Sequence, residues 1–239
     1  MLYNRFILFK YIIYGECRVN KYDSAIFDVD GTLLDTTEGV LAAVRYTIKA
    51  MGLKSLDEET LLTFIGPPIQ DSFFNAYGVE GKILQQLTTI FRNRYKEVEL
   101  FKARPYENIY TVCDTLLNRG VRIAIATYKR QDYAESILKH FGFDKYTSIM
   151  YGADQHNKLK KVDIIRKCLD ELGAESYLKA VMIGDSSHDA IGAEQSDMDF
   201  IGVTYGFGFK TYMDVMENGA VGSADTTMDI LNFFKGGKK

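Results

Sequence analysis

The chain has 239 residues, of which 46% are apolar and 26% are charged, and its formal net charge at pH 7 is −3. This length suits one sizeable domain, or a core domain with a smaller insertion. The mildly negative charge argues against nucleic acid or a membrane surface as the main partner. The 3 cysteines, Cys17, Cys113 and Cys168, form no CxxC pair. This spacing argues against a disulfide framework or a zinc site and favours a reducing cytoplasm.

The N-terminal segment, residues 1–20, is the first unusual element. Residues 1–14 are mainly apolar and aromatic, but Lys10 interrupts them and no small-residue cleavage site follows. No stretch reaches the ~20 apolar residues that a membrane-spanning helix needs. We therefore expect an N-terminal extension in the form of an accessory strand or helix, with the domain proper beginning near Lys21.

Five short apolar runs predict β-strands further along the chain. They cover residues 24–27, 121–126, 148–151, 180–183 and 200–203. Helical patterns separate the later runs: apolar residues recur with helical spacing over 109–117, before Gly120, and over 162–172, before Gly173. Strands that alternate with helices in this way predict an α/β fold with a doubly wound, Rossmann-like parallel sheet.

Residues 38–103 break this alternation, because they contain several helical patterns and no convincing strand. Residues 55–58 read Ser-Leu-Asp-Glu, a capping-box pattern that predicts the start of a helix at Ser55, ending near Gly66. We therefore predict a core domain formed by residues 21–37 and 104–239, with an inserted α-helical cap domain at residues 38–103.

The run IFDVDGTLLDT at residues 26–36 is the most informative motif. It places Asp28 and Asp30 at the end of the first predicted strand. Aspartate is a poor strand former, and its burial costs several kcal/mol unless a cation or a hydrogen-bond donor compensates. Two such residues at a strand end therefore indicate a metal ion or a reacting phosphoryl group. A pair of ordinary turn aspartates would not require the whole D-x-D-G-T-L-L-D pattern.

Other polar residues follow later predicted strands. Thr127, Tyr128 and Lys129 come after the second strand, and the run GDSSHD at residues 184–189 follows the fourth. In parallel sheets, ligands bind beyond the carboxyl ends of the strands. These residues are therefore candidates for one site.

In these motifs the sequence resembles the haloacid dehalogenase superfamily, specifically the phosphoglycolate-phosphatase-like branch with a helical cap. The resemblance spans about residues 21–234. It implies a phosphatase in which Asp28 forms a phospho-aspartyl intermediate and Asp30 acts as general acid and base. It also implies a catalytic lysine at the start of a later helix, for which Lys158, Lys160 and Lys161 are the candidates. The run KVDII at residues 161–165 matches the family pattern and selects Lys161.

The resemblance also implies the remaining site residues. Asp28, Asp30 (through its backbone carbonyl), Asp185 and Asp189 would hold Mg²⁺, with Asp189 as a further ligand or as the partner that orients Lys161. Phosphate binding is assigned to Thr127, Tyr128, Gly31, Thr32 and Lys161. His188 receives no catalytic role. The implied partner is a small phosphorylated metabolite, and Gly66-Pro67-Pro68 is either a loop over the active site or a helix-ending turn.

Several alternatives share this scaffold. A dehalogenase would need neither Asp30 nor magnesium. A phosphosugar mutase of the β-phosphoglucomutase type resembles E-D-S-x-x-G where this chain has G-D-S-S-H-D, and a phosphonate hydrolase would need a Schiff-base lysine in the cap. A catalytically silent regulatory protein would be expected to lose one of the acids, and all four are present. Hydrolysis of small phosphate monoesters is therefore the favoured function.

Overall fold

The computed structural model describes residues 21–155, 158–173 and 179–235. The predicted N-terminal extension at residues 1–20 lies outside them. The strands within the described residues are β1 (Ser24–Phe27), β2 (Leu34–Asp35), β3 (Arg104–Pro105), β4 (Arg122–Arg130), β5 (Met150–Ala153), β6 (Ala180–Gly184), β7 (Asp199–Val203) and β8 (Gly222–Ala224).

Helices surround these strands. The α-helices are α1 (Thr37–Ala50), α2 (Glu58–Leu62), α3 (Ile69–Tyr77), α4 (Gly81–Arg94), α5 (Ile109–Asn118), α6 (Gln131–His140), α7 (Lys161–Leu172), α8 (Ser187–Glu194) and α9 (Tyr212–Glu217). A π-helix, Tyr95–Glu99, directly continues α4, and short 3₁₀ helices occupy Phe143–Lys145 and Thr227–Phe234. Among the residues so described, none of the helices combines the length and apolarity required to traverse a bilayer.

Six strands form one parallel sheet in the order β5-β4-β1-β6-β7-β8. This arrangement confirms the predicted Rossmann-like α/β fold. The apolar residues of β1 are completely buried because helices cover both faces of the sheet. The chain moves to opposite sides of β1 when it forms β4 and β6. This reversal of direction creates the crevice in which α/β sheets bind ligands.

The five predicted strands are all present, with small differences at their ends. The second extends to Arg130 instead of ending at Ala126, and its pairing with β5 shifts register between these two residues. Edge strand β8 was not predicted, because its Gly-Ser-Ala sequence lacks the apolar run typical of a strand. The predicted helix stops at Gly120 and Gly173 coincide with the ends of α5 and α7.

Residues 37–99 form a helical segment between β2 and β3, which we call the helical insert. Its own core is aromatic: Phe64 packs edge-on against Phe73, and Phe91 stacks on Tyr95 with ring centroids 5.5 Å apart. Such pairs contribute about 0.5–1.5 kcal/mol each beyond the burial of their area. The division of the chain into a core and a cap domain at residues 38 and 103 stays a prediction.

The prediction of a helix start at Ser55 is wrong. Asp57 caps the helix instead, and its side chain accepts a hydrogen bond of 2.8 Å from the Thr60 backbone N–H. Aspartate is as good an N-cap as serine, so the Ser-x-x-Glu spacing alone did not distinguish the two residues.

The helical insert joins the rest of the chain through a two-stranded antiparallel ribbon. Leu34 pairs with Pro105, and Asp35 pairs with Arg104. An ion pair of 2.8 Å between the Arg104 guanidinium and the Asp35 carboxylate reinforces the second pair. Because Arg104 is exposed, this ion pair adds little stability, and the backbone pairing is what keeps the two strands together.

Candidate active site

The carboxyl ends of three adjacent strands bring the main predicted residues together. Asp28 follows β1, Thr127 lies in the last part of β4, and Asp185 follows β6. These three residues lie close together because β1 lies between β4 and β6 in the sheet. All three side chains are buried. This clustering at one edge is the geometry that a parallel sheet uses for ligand binding.

Lys161 bridges two of the buried aspartates. Its Nζ atom lies 2.6 Å from Asp28 Oδ1 and 2.6 Å from Asp189 Oδ1. The structure therefore brings Lys161 to Asp28, whereas Lys158 and Lys160 are exposed. Lys161 is the first residue of α7, where a cation opposes the helix dipole. The two carboxylates offset this unfavourable placement.

Asp189 is held on both sides of its carboxylate. Oδ1 contacts Lys161, while Oδ2 accepts hydrogen bonds from the Ser186 backbone N–H (3.1 Å) and the Ser186 hydroxyl (2.7 Å). Ser186 and Asp189 thereby form a capping box at the start of α8. Of the two predicted roles for Asp189, orienting Lys161 is the one that these contacts favour.

A loop of two glycines and a phenylalanine holds Asp185. Its Oδ2 atom accepts hydrogen bonds from the backbone N–H groups of Phe207 (2.6 Å) and Gly208 (3.0 Å). A Cβ atom on Gly206 would lie 2.5 Å from Asp185, so only glycine allows this close approach. This role of residues 206–208 is not among the predictions from sequence, although a Gly-Phe-Gly run just after a strand indicates close backbone contact.

The predicted phosphate-binding residues Gly31 and Thr32 have other contacts. The Gly31 N–H donates to the Leu34 carbonyl (3.0 Å), and the Thr32 N–H donates to the Val29 carbonyl (3.3 Å). Neither backbone group is therefore free to donate to a phosphate in this conformation. The Thr32 hydroxyl is buried without a hydrogen-bond partner among the described residues. Their role in phosphate binding stays a prediction that rests on this hydroxyl alone.

Gly31 has a clear role in letting Asp185 approach β1. Its φ of +83° favours glycine, and an added Cβ would lie 2.1 Å from Asp185 Oδ2.

We expect Gly31→Ala to destabilise the fold by about 1–3 kcal/mol and to lower catalytic activity at least about tenfold, because Asp185 would have to move. Thermal unfolding and steady-state kinetics measure the two effects. Gly52→Ala is the control, because Gly52 also has a positive φ but an added Cβ there would meet no atom within 4 Å. It therefore shows the effect of backbone strain without any displacement of Asp185. Equal activities of the two variants would contradict the expectation.

Asp30 lies in a second buried network. Its Oδ1 atom accepts a hydrogen bond from the Thr36 hydroxyl (2.5 Å) and lies 3.0 Å from Lys129 Nζ. Lys129 also donates to the Tyr95 hydroxyl (2.9 Å). The contacts of Lys129, Thr36 and Tyr95 are not among the predictions from sequence. A lysine two residues after Thr127, at a strand end, was the available signal.

Thr127 and Tyr128 both lie beside these groups. The Thr127 hydroxyl accepts a hydrogen bond from the Lys129 N–H (3.1 Å), and the Tyr128 hydroxyl accepts one from the Lys161 N–H (3.0 Å). The His188 ring packs edge-on against Tyr128, with centroids 5.2 Å apart. The absence of a catalytic role for His188 stays a prediction.

Burial affects the acids of the site strongly. It raises the pKa of Asp28 to about 8, against the opposing effect of Lys161, and it raises the pKa of Asp185 to about 7, assisted by the charge of Asp189. Burial also lowers the pKa of Lys161, but the charges of Asp189 and Asp28 more than offset this, so the net shift is upward. The raised carboxyl pKa values show that burial disfavours the ionised forms of Asp28 and Asp185 by more than Lys161 favours them.

Three of the acids converge as metal ligands do. Asp28, Asp185 and Asp189 each offer an oxygen atom within 4.8 Å of the others. With Asp30, the site holds four acids and two lysines, Lys129 and Lys161, which leaves a formal excess of two negative charges. An all-oxygen donor set with this excess fits a hard divalent cation such as Mg²⁺.

A small pocket lies between the helical insert and the core, next to Asp30. Phe64, Phe91 and Tyr95 contribute aromatic walls from the insert, and Lys129 and Arg130 contribute cations from β4. Residues 66–68 also line this pocket, and whether they act as a loop over the active site or as a turn between helices stays a prediction. The cavity volume of this half-open pocket is about 80 Å³, which is much less than the ~300–1,000 Å³ of typical sites for drug-sized ligands.

Comparisons with known proteins show similarity over most of the chain. The model of the family described as haloacid dehalogenase-like hydrolase matches residues 25–203. A 5'-nucleotidase from Pseudomonas aeruginosa is 33% identical over 189 residues, which are 79% of this chain and 85% of that protein. Tyrosine-protein kinase PtkA from Mycobacterium tuberculosis is 29% identical over 202 residues, which are 84% and 68%. The crystal structure of a predicted phosphatase from Clostridium acetobutylicum is 31% identical, with a TM-score of 0.81, and covers 88% of this chain and 97% of that one.

Proposed function

The chain belongs to the haloacid dehalogenase-like hydrolase family and is a phosphatase, and we propose that it hydrolyses small phosphate monoesters with Mg²⁺ through a phospho-aspartyl intermediate. The observation that carries this proposal is the convergence of Asp28, Asp30, Asp185 and Lys161 at one sheet edge. These residues supply a nucleophile, a proton donor, a metal ligand and a fixed positive charge.

Asp28, Asp185 and the Asp30 backbone carbonyl would hold Mg²⁺ in this proposal. The fit rests on the converging carboxylate oxygens of Asp28 and Asp185 and on the formal excess of acids over lysines in the site. When bound, the ion would neutralise charge on the phosphoryl oxygens and on the carboxylates around them. Asp189 remains committed to Lys161 and Ser186, so we assign it to positioning or to a contact through water.

Four residues of the chain have separate roles in the proposed reaction. Asp28 Oδ2 is the nucleophile, since Oδ1 is engaged by Lys161; it displaces the leaving oxygen and forms an acyl phosphate. Asp30 gives a proton to that oxygen and later takes one from the water that hydrolyses the intermediate. Lys161 and the Thr127 hydroxyl stabilise the charge on the equatorial oxygens, which is where phosphoryl transfer gains most of its acceleration.

The pocket next to Asp30 would receive the leaving group. Its small volume favours a small phosphorylated metabolite, or requires the helical insert to move when a larger one enters. Movement of the insert would use the ribbon of β2 and β3, so we also propose that residues 38–103 act as a cap domain.

A panel of phosphate monoesters tests this function. Release of inorganic phosphate from p-nitrophenyl phosphate, nucleoside 5'-monophosphates, phosphoglycolate, pyrophosphate and sugar phosphates is measured with Mg²⁺ and with EDTA. We expect Mg²⁺-dependent release, with kcat/KM identifying the preferred substrate class. A mutase would return an isomerised sugar phosphate, and a kinase would transfer phosphate from ATP to a tyrosine peptide. Either result without phosphate release would overturn the proposal.

Mg²⁺ binding is expected to strengthen as the pH rises from 6 to 8. Burial raises the pKa of Asp28 to about 8 and that of Asp185 to about 7, so at pH 6 protons compete with the ion for these carboxylates. Since both pKa values lie above those of an unfolded chain, the metal-free protein loses stability as the pH rises through them. The increase in Tm on adding Mg²⁺ should therefore be larger at pH 8 than at pH 6. Asp185→Asn should lose most of this response, and a response independent of pH would contradict the expectation.

The cysteines bear on the cellular location of the protein. Cys113 and Cys168 are buried free thiols, which suits the reducing environment proposed above. A small phosphorylated metabolite would be available in such a compartment. We therefore propose a cytoplasmic location.

A further inference from the structure

Lys129 is a buried cation that none of the steps above uses. Its side chain is 6% exposed, and Nζ lies 3.0 Å from Asp30 Oδ1 and 2.9 Å from the Tyr95 hydroxyl. It also lies 4.9 Å from the centre of the Tyr95 ring. Burial of an ammonium group is costly unless its partners compensate. Asp30 and Tyr95 are these partners, and they belong to different parts of the molecule.

The contacts of Asp30 distinguish its two carboxylate oxygens. The Thr36 hydroxyl and Lys129 Nζ both contact Oδ1. An oxygen with two such donors is poorly placed to give or take a further proton. Proton exchange with the substrate would therefore fall to Oδ2, and Thr36 and Lys129 together set the direction in which this oxygen points.

Lys129 also connects the core to the helical insert. Its backbone N–H donates to Thr127 in β4, whereas Tyr95 belongs to the π-helix that ends the insert. Tyr95 is itself fixed by stacking on Phe91 and by an edge contact with Tyr133. π-Helical turns are frequent at functional sites. The Lys129–Tyr95 contact exists only while the insert rests against the core.

We propose that Lys129 is the positioning residue of Asp30, and that Tyr95 makes this positioning depend on docking of the helical insert. The inference rests on the proposed function, in which Asp30 is the general acid and base. With the insert docked, Lys129 is held by Tyr95 and fixes Asp30 Oδ1. With the insert away, Lys129 loses one of its two partners and Asp30 loses its fixed orientation.

The test compares two substrates that differ in their need for a general acid. An aryl phosphate such as p-nitrophenyl phosphate has a leaving group that departs without protonation, whereas an alkyl phosphate needs a proton from Asp30. The measured quantity is kcat/KM, because it reports the steps up to release of the leaving group. Lys129→Met should lower kcat/KM about 100-fold for the alkyl phosphate, at the lower end of general acid–base contributions, and much less for the aryl phosphate.

Tyr95→Phe keeps the ring and removes only the hydroxyl. We expect Tyr95→Phe to lower kcat/KM about 5-fold for the alkyl phosphate and less for the aryl phosphate. A 5-fold loss corresponds to the free energy that one hydrogen bond typically contributes. Lys96→Met is the matched control, since Lys96 is an exposed neighbour of Tyr95 that pairs with Asp132. It should behave as the wild type does.

Selective loss on the alkyl phosphate in both variants would support the proposal. Equal losses on both substrates, or no loss, would overturn it while leaving the phosphatase function intact. Absence of Mg²⁺-dependent hydrolysis in the wild type would instead overturn the proposed function itself. If Lys129→Met does not fold, as thermal unfolding would show, the comparison of Tyr95→Phe with the wild type decides the outcome.

Discussion

Replacing Asp28 by Asn is expected to lower kcat by at least about 10⁴-fold while the fold stays intact. Asparagine has nearly the same shape as aspartate, but its amide cannot form the acyl phosphate. Burial raises the pKa of Asp28 to about 8, so the carboxylate is costly to keep ionised in the metal-free protein. The neutral amide removes this cost. Without Mg²⁺ at pH 8, the Tm of Asp28→Asn should therefore equal or exceed that of the wild type.

Steady-state hydrolysis of p-nitrophenyl phosphate and thermal unfolding measure these two effects. Asp71→Asn, the same change at an exposed position in α3, should retain wild-type activity. Rapid quenching with a ³²P-labelled substrate should capture a phosphoprotein in the wild type and none in Asp28→Asn. Equal activity of Asp28→Asn and the wild type would rule out Asp28 as the nucleophile.

Replacing Lys161 by Met is expected to reduce both stability and activity. The change leaves Asp28 and Asp189 buried without their shared cation, and breaking a buried ion pair from one side costs about 3–5 kcal/mol. For a chain of this size the loss corresponds to about 6–20 °C in Tm. Activity should fall at least about 10²–10³-fold, as it does when one charge-stabilising donor is removed.

The pH dependence of the variant distinguishes lost charge from lost packing. Lys161 lowers the pKa of Asp28, which is about 8 in the wild type, so in the variant this carboxyl stays protonated to a higher pH. The Lys161–Asp28 attraction exists only where Asp28 is ionised, so the difference in Tm between the variant and the wild type should shrink as the pH falls from 9 to 7. A difference that does not change with pH would point to lost packing. Lys160→Met provides the matched control, because Lys160 is the exposed neighbour of Lys161; its Tm should stay close to that of the wild type.

The sequence was sufficient to predict five of the six strands of the sheet and the placement of Asp28, Thr127 and Asp185. Apolar runs separated by helical patterns imply parallel strands, and parallel strands bring their carboxyl ends to one edge. The position of Lys161 came from the match of residues 161–165 to a family pattern. Periodicity alone did not distinguish it from Lys158 and Lys160.

Contacts between distant parts of the chain could not be predicted in the same way. Lys129 and Tyr95 are separated by 34 positions and lie on elements with unrelated hydrophobic patterns. Their pairing depends on how the helical insert rests on the core, which local propensity does not encode. The internal hydrogen bonds of Gly31 and Thr32 were also missed, because backbone turns within a loop depend on φ and ψ values and not on residue type alone.

The ribbon formed by β2 and β3 has an evolutionary consequence. The segment between Asp35 and Arg104 leaves and rejoins the sheet at neighbouring, paired positions, so its length and sequence can change without moving the two ends apart. Mutations, duplications or replacement of this segment would alter which molecules the enzyme accepts, while the aspartates at the sheet edge keep their arrangement. Diversification of specificity and preservation of chemistry can therefore proceed independently in a lineage built on this plan.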